Sequence, residues 1–162
     1  MAAHCAGTAL DAGLDPVIVV LGCEAARVEK TLAGLRVQTV FNQEFETGPS
    51  VSLRKGIDAL PARTGAALFL RAGQPPVTAA VIRDLVRAHR RTLAPACAPV
   101  FEGRRGNPVL FDRALFDELR QLRGDTGGRA LLEKYGGDVV EVAAGREVVA
   151  DLDTPEIYER LS

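Results

Sequence analysis

Short apolar runs alternate with helical patterns along this chain, and that alternation restricts the fold more than any other feature. Residues 16–21 and 66–70 are continuous apolar runs, which are typical of strands buried on both faces. Between them, Leu53, Ile57 and Leu60 recur at helical spacing. Strands joined by helices form a sheet covered on both faces. We therefore predict an α/β protein, a three-layer α/β/α sandwich with a mainly parallel, Rossmann-like sheet.

The same reasoning assigns elements along the whole chain of 162 residues, which we expect to form one domain, 1–162. The predicted strands are 16–21, 37–41, 66–70, 96–101, 108–111, 138–142 and 148–152, with a hairpin turn at 103–106. The predicted helices are 2–12, 24–33, 50–60, 78–91, one capped by Asp112, one from Asp125 or Thr126 to Gly136, and 155–161. The arginines of helix 78–91 are interpreted as a solvated face, and His4 and His89 have no visible partner in the sequence.

Composition argues against several classes of protein. The net charge is −1, with 6 Phe, 2 Tyr and no Trp, so the chain has neither the positive charge nor the aromatic surface of a nucleic-acid binder. No apolar run reaches the roughly 18 residues that span a bilayer, and the N-terminus does not resemble a secretion signal. The 3 Cys are odd in number and far apart, which predicts neither a disulfide framework nor a zinc site. We expect a reduced, cytoplasmic protein.

Two acidic residues follow the predicted last strand, one position apart. Side chains alternate faces along a strand, so Asp151 and Asp153 point the same way at its carboxyl end. Ligands of open α/β sheets bind beyond that end, and two carboxylates there can hold Mg²⁺ together with substrate phosphates. The segment also fits a helix start, with Thr154 as cap and Pro155 in the first position. The residues alone leave both interpretations open.

Three loops combine glycine with polar residues. In 47–52, Gly48 permits close backbone approach and Ser50 and Ser52 can bind a nucleotide, or the serines cap a helix. The loop 71–76 is either a ligand position or a turn, and 103–108 either suits an anionic ligand or is a solvated hairpin tip. The chain has no G-x-S-x-G, no G-x-x-x-x-G-K-[ST] and no G-x-G-x-x-G. Serine-hydrolase, Walker-type and dinucleotide sites are therefore not predicted.

Six segments, in family order, resemble the small nucleotidyltransferases that complete molybdenum cofactor by adding a cytidylyl or guanylyl group, especially the cytidylyltransferase branch. They lie at 12–22, 46–54, 74–78, 106–111, 124–129 and 151–156. Examples are Glu-Thr-Gly-Pro-Ser-Val-Ser-Leu-Arg at 46–54 and Asp-Leu-Asp-Thr-Pro-Glu at 151–156. The resemblance runs nearly from end to end and rests on the order of the six segments.

The resemblance implies a fold of the nucleotide-diphospho-sugar transferase type. It also implies transfer of a nucleotidyl group from CTP or GTP to molybdopterin, with release of pyrophosphate and help from Mg²⁺. Three groups of residues correspond to family sites: Gly48, Ser50 and Ser52 near base and ribose, with Gln74 and Pro75 as further binding positions; Gly106, Asn107, Pro108 and Asp125 on the pterin side; and Asp153, with Asp151 beside it, as catalytic and metal-side residues. Asn107 stands where the family usually has His.

The chain departs from the family in two places. Family members open with a buried strand and a glycine-rich basic loop that cradle the triphosphate, and the sequence begins inside the helix that follows them. The acid that is their principal Mg²⁺ ligand, just before Gln-Pro, is Gly73 here. Removing one stabilising donor typically costs about 10²–10³ in rate, so we expect a weakened metal site and an impaired enzyme.

Other interpretations remain open at this point. The chain is an enzyme homologue without its start, a non-catalytic carrier or regulator that binds nucleotide or pterin, or a nucleotide-sugar-using transferase on a related fold. Each is expected to bind small molecules. Without the first strand, we expect unpaired strand edges that favour self-association or a strand supplied by another chain.

Overall fold

The computed structural model describes residues 1–73 and 77–150. The helices are α1 (Ala2–Asp11), α2 (Ala25–Thr31), α3 (Pro49–Asp58), α4 (Ala79–Thr92), α5 (Phe116–Gln121) and α6 (Arg129–Tyr135). The strands are β1 (Ile18–Leu21), β2 (Gln38–Phe41), β3 (Ala66–Phe69), β4 (Ala96–Phe101), β5 (Arg104–Arg105), β6 (Val109–Asp112) and β7 (Val140–Ala143). Short 3₁₀ turns lie at Phe45–Thr47, Arg113–Leu115, Gly136–Asp138 and Arg146–Val148. None of the described helices is both long enough and apolar enough to cross a bilayer.

Helix α4 illustrates how local sequence sets an element. The Thr78 hydroxyl accepts a hydrogen bond from the Val81 backbone N–H at 3.3 Å and so caps the first turn. Ile82 and Leu85 are fully buried on the face that packs against the sheet. The helix ends where Leu93 adopts a left-handed conformation, with φ of 51°. The cap and the apolar stripe are both readable in the sequence, which explains the close agreement with the predicted helix 78–91.

The middle layer consists of two sheets. In the first, β1 and β2 pair in parallel, from Ile18 opposite Gln38 to Leu21 opposite Phe41. The second sheet has the order β3–β6–β4–β5, and β7 also pairs with β4. Among the described residues, β1 pairs with β2 alone and β3 with β6 alone. Within residues 1–73 and 77–150, β1 and β3 thus each pair along one edge.

Helices cover both faces of this layer, as predicted for a three-layer sandwich. Helices α3, α5 and α6 form one apolar core with the second sheet, and α4 forms another on its opposite face. Helices α1 and α2 pack against the small parallel sheet. The rings of Phe69 and Phe111 meet edge to face in the first core, with centroids 5.9 Å apart.

The prediction of a mainly parallel sheet is wrong for the second sheet, whose pairings are mostly antiparallel. Its strand β6 is antiparallel to both β3 and β4, while β7 is parallel to β4. The reason is the predicted hairpin turn, where Gly103 has φ of +75° and the chain reverses beside β4. Strand β6 therefore lies between β3 and β4, which would pair directly with each other in a mainly parallel sheet.

Two further element predictions need correction. The predicted strand 148–152 does not begin as a strand, because Val148 belongs to the 3₁₀ turn Arg146–Val148, and positions 151 and 152 lie outside the described residues. The helix expected to start at Asp125 or Thr126 starts at Arg129. The predicted helix 155–161 lies outside the described residues.

Candidate functional site

Asn42 joins the carboxyl end of β2 to the start of α3. Its side chain is fully buried, and its backbone N–H donates to the Leu21 carbonyl at 2.7 Å. The side-chain Oδ1 accepts from the Glu44 N–H at 2.9 Å, and Nδ2 donates to the Ser52 hydroxyl at 3.0 Å. Because every polar atom of this amide has a partner, α3 starts at a fixed position beyond the carboxyl ends of β1 and β2, where ligands of α/β sheets bind.

Gly48 brings two distant segments into contact. Its φ of +122° favours glycine, and an ideal Cβ placed on it would lie 2.8 Å from the Gly124 carbonyl oxygen and 3.1 Å from the Asp125 Oδ1. The Ser50 N–H donates to the same Gly124 carbonyl at 3.3 Å. The predicted residues Gly48, Ser50 and Asp125 therefore lie together. The resemblance assigns Asp125 to the pterin side, yet its carboxylate adjoins the segment assigned to base and ribose.

The serines of α3 do not cap it. The residue before the first turn is Gly48, and among the described residues no side chain caps this helix. The Ser50 hydroxyl is buried and has no hydrogen-bond partner among the described residues, and the Ser52 hydroxyl accepts from Asn42. The capping alternative for the segment 47–52 is therefore wrong.

The residues predicted to face a pterin support the chain just before Asp151. An ideal Cβ on Gly106 would lie 2.0 Å from the Val148 carbonyl oxygen, so only glycine fits there. The Asn107 N–H donates to that carbonyl at 2.8 Å, and the Gly106 N–H donates to the Pro99 carbonyl at 2.8 Å. Pro108 is fully buried. This segment fixes where the chain leaves Val148 toward the predicted acidic residues.

The loop 103–108 does not offer both of its arginines to a ligand. The Arg105 guanidinium donates to Glu141 Oε1 at 2.8 Å and to the carbonyls of Gly136 and Leu132 at 2.8 and 3.4 Å. These contacts join β5 to β7 and to the end of α6. Arg104 is exposed at the tip. The arrangement favours the hairpin interpretation of this loop over the anion-binding one.

The described residues do not supply a metal site. They contain no group of three or more His, Cys, Asp or Glu placed to hold an ion. Gly73, just beyond β3, has no side-chain oxygen, and an ideal Cβ on it would meet nothing within 4 Å. Asp151 and Asp153, like Gln74 and Pro75, lie outside the described residues.

Sequence reasoning missed two polar residues that the fold uses. Asn42 directly follows the predicted strand 37–41, and a polar residue in that position, at the ligand-binding edge, is the available signal. His89 lies on the apolar face of α4, one turn after Leu85, and its Nε2 is 2.8 Å from Asp112 Oδ2. Asp112 also accepts from the Ala114 N–H at 2.9 Å through Oδ1, so it caps the 3₁₀ turn Arg113–Leu115 that leads into α5, whereas no described side chain caps α5 itself.

Comparison with known proteins finds a family whose sequence pattern matches most of the chain. The family described as "MobA-like NTP transferase domain" matches residues 1–139. The "Purine catabolism protein PucB" of Bacillus subtilis (strain 168) is 30% identical over 164 residues, which cover 94% of this chain and 78% of the relative.

Two solved structures share the fold. The manganese complex of Rv0371c from Mycobacterium tuberculosis H37Rv has a TM-score of 0.84 and 26% identity, and the match covers 99% of this chain and 84% of that one. A nucleotidyl transferase from Methanothermobacter thermautotrophicus has a TM-score of 0.81 and 23% identity, covering 98% of this chain and 77% of that one. At that identity, the second structure supports the fold alone.

Proposed function

Since the chain belongs to the MobA-like NTP transferase domain family, we propose that it binds CTP or GTP beside Gly48 and transfers the nucleotidyl group to molybdopterin. Pyrophosphate is the second product. The observation that carries the proposal is the contact of Gly48 with Gly124 and Asp125, which leaves bare backbone beside an exposed carboxylate. Backbone N–H groups and a carboxylate are suited to hydrogen bonding with a base and a ribose.

The residues at this edge have distinct roles in the proposal. Asn42 holds the start of α3, and its bond to Ser52 keeps that hydroxyl directed along the sheet edge. Asp125 accepts hydrogen bonds from the nucleotide, and hydrogen bonds to charged groups are the stronger kind. Gly106 and Asn107 hold the chain that leads to Asp151 and Asp153, which we propose as the metal-side pair. Phosphoryl transfer needs positioning and charge neutralisation more than a covalent catalyst.

The acceptor is the least constrained part of the proposal. The resemblance to cytidylyl- and guanylyltransferases favours molybdopterin, whereas the name of PucB places that relative in purine catabolism. A nucleotide-sugar-using transferase on a related fold is the remaining interpretation. The manganese in the Rv0371c structure supports testing Mn²⁺ beside Mg²⁺.

One observation favours a second function, nucleotide binding without turnover. Gly73 stands where family members carry an acidic metal ligand, and the described residues bring no other acid into a metal-binding group. In this second proposal the chain keeps the groups that hold base and ribose, while the described residues supply no acidic group to hold a metal at the phosphates. The second proposal is a carrier or regulatory partner that binds nucleotide or pterin.

Two measurements on the same protein separate these proposals. Calorimetric titration with CTP and with GTP measures binding, and pyrophosphate release with Mg²⁺ or Mn²⁺ and molybdopterin measures turnover. Binding with release above background supports transfer, binding without release supports the carrier, and absence of binding contradicts both.

A matched pair of variants tests the site itself. Asp125→Asn removes the carboxylate beside Gly48 and is expected to weaken nucleotide binding about tenfold, the equivalent of one lost hydrogen bond to a charged group. Asp138→Asn changes an exposed acid in the 3₁₀ turn that follows α6 and is expected to leave binding unchanged. Equal effects of both variants would contradict the placement of the site.

A further inference from the structure

One face of α3 runs antiparallel to the end of α5 and the chain that follows it. Positions 50, 54 and 58 are spaced four residues apart, so they lie on the same face of the helix. Each of them is hydrogen-bonded to the segment 120–124, and we call this row of contacts the α3–α5 seam. Its three hydrogen bonds, in order along α3, run from the Ser50 N–H to the Gly124 carbonyl (3.3 Å), from Arg54 Nη2 to the Leu122 carbonyl (3.4 Å) and from Arg120 Nε to Asp58 Oδ1 (2.9 Å).

The turn 123–126, which carries Asp125, is braced within itself. The Thr126 hydroxyl donates to the Arg123 carbonyl at 2.9 Å and closes the turn. An ideal Cβ on Gly128 would lie 2.9 Å from the Phe111 ring, so the chain leaves the turn in close contact with the core. Because the turn is closed by its own hydrogen bond, the position of Asp125 depends on where the two ends of the turn are held.

Arg54 holds the first of these ends. Its Nη2 bonds the carbonyl of Leu122, the residue directly before the turn. The Nε of the same guanidinium is buried and has no hydrogen-bond partner among the described residues. A buried donor without a partner lowers stability, so an arginine at this position is unfavourable for the fold alone. Proteins depart from such local rules mainly at functional sites.

The seam ends at the proposed nucleotide site. Gly48, two residues before Ser50, lies against Gly124 and the Asp125 Oδ1 with no space for a Cβ. A movement of Leu122 away from α3 would therefore be passed along the seam to Asp125. Arg54 lies one turn farther along α3 than Ser50, and its guanidinium is the side-chain group of α3 that holds the segment 122–124.

We propose that Arg54 is a positioning residue of the nucleotide site. By holding the Leu122 carbonyl against α3, it keeps the Asp125 carboxylate beside Gly48, where the carboxylate accepts hydrogen bonds from the nucleotide. Arg54 thus acts through Asp125. This inference rests on the proposed function, because it assigns Asp125 the same ligand.

Backbone amide shifts of the nucleotide-free protein test the positioning step. Arg54→Met keeps an unbranched apolar stem and removes every donor of the guanidinium. The NMR signals of the amides at 122–126 are expected to shift, while those of 140–143 in β7 stay in place. Lys55→Met is the matched control, because it removes the same charge from the next position of the same helix, and it is expected to leave the amides of 122–126 unchanged.

A double-mutant cycle with Asp125→Ala tests the step from position to binding. Calorimetric titration with CTP and with GTP measures the affinity of each variant. Arg54→Met is expected to weaken binding about fivefold when Asp125 is present, and less than about twofold when it is alanine, because no carboxylate is then left to position. Arg54→Lys keeps one donor for the Leu122 carbonyl and is expected to bind within about twofold of the unaltered protein.

Three results would overturn the inference: loss of the native fold in Arg54→Met, unmoved amides at 122–126 in that variant, or equal weakening of binding in both backgrounds. The first would make Arg54 a residue of the fold alone, and the last would mean that it acts independently of Asp125. Unaltered protein that binds neither nucleotide would instead overturn the proposed function. Shifted amides in Arg54→Met would then still support the part of the inference in which Arg54 positions Asp125.

Discussion

Replacing Gly48 with alanine perturbs the contact on which the proposed nucleotide site depends. The backbone at this residue has φ of +122° and ψ of 169°, a conformation almost exclusive to glycine. An added Cβ would also lie 2.8 Å from the Gly124 carbonyl oxygen and 2.9 Å from the Gly124 carbonyl carbon. Both obstacles involve backbone, so no side-chain rotation relieves them.

The expected loss of stability is the sum of the cost of the backbone conformation and the cost of a weakened hydrogen bond. A non-glycine residue in this backbone region costs on the order of 1–3 kcal/mol. Moving the Gly124 carbonyl away weakens its hydrogen bond from the Ser50 N–H, 3.3 Å long, which contributes about 1 kcal/mol. We expect Gly48→Ala to lower the free energy of unfolding by about 3 kcal/mol in total, a large fraction of the 5–15 kcal/mol of a typical domain.

Two other glycines separate the cost of the backbone conformation from the cost of the close contact. Gly34 has φ of +85° with nothing within 4 Å of an ideal Cβ, so Gly34→Ala tests conformation alone and is expected to cost about 1 kcal/mol. Gly73 has neither a positive φ nor a close neighbour, so Gly73→Ala is expected to be neutral or to stabilise by about 0.5 kcal/mol.

Urea unfolding followed by circular dichroism measures all three variants, with the free energy taken from the midpoint and slope. The expected order of stability is Gly73→Ala, then Gly34→Ala, then Gly48→Ala. If Gly48→Ala is no less stable than Gly34→Ala, the close contact with Gly124 does not exist in solution, and the reasoning that places Asp125 at the site is wrong.

Three further outcomes are expected. Gly73→Asp is expected to raise Mn²⁺ affinity in calorimetry about tenfold or more, whereas Gly65→Asp, equally open but before β3, leaves it unchanged; equal gains would show a non-specific charge effect. Asp112→Ala is expected to lower the free energy of unfolding in urea by about 2–3 kcal/mol, because it leaves buried His89 without its hydrogen-bond partner and removes a cap. A loss below about 0.5 kcal/mol would refute this structural role of Asp112. The hydrogen bond from Lys134, followed by that from Tyr135, holds the pKa of Glu118 below its ordinary value. The Glu118 carboxylate, held by these two hydrogen bonds, therefore stabilises the fold at pH values above the ordinary Glu pKa. This stabilisation is lost as pH falls through the lowered pKa of Glu118; an NMR titration showing an ordinary or raised pKa for Glu118 would contradict it.

The elements with complete local signals are the ones that sequence reasoning predicts best. Strand β4 occupies 96–101 as predicted, and α4 has both a capping Thr78 and an apolar stripe. In such segments the hydrophobic period, the cap and the turn residues all favour one conformation. The tertiary structure then has little to change.

Errors occur where tertiary contacts override a local signal. Asp125 and Thr126 are typical capping residues, yet α6 starts only at Arg129, because the segment before it packs against Gly48 and the start of α3. The insertion of β6 between β3 and β4 is likewise invisible locally. A hairpin turn predicts that the chain reverses, but not which neighbour its second strand acquires.

Sequence reasoning predicts the candidate site as separate motifs, and it predicts only part of their arrangement in space. The family order of the segments predicts a functional role for Gly48, Ser50, Ser52 and Asp125. Their contact across the fold follows from long-range packing that no short motif encodes. Asn42, which fixes the start of α3, has no motif of its own, since a single amide after a strand is common in proteins without a ligand there.

The most direct test of the account is an NMR titration of the isotopically labelled protein with CTP and GTP. The account predicts that backbone amides at 42–52 and 124–125 shift saturably with one of these nucleotides, while the amides of α4, with its exposed arginines, stay in place. Shifts confined to α4, or none at all, would contradict the claim that this chain holds a nucleotide between the start of α3 and Asp125.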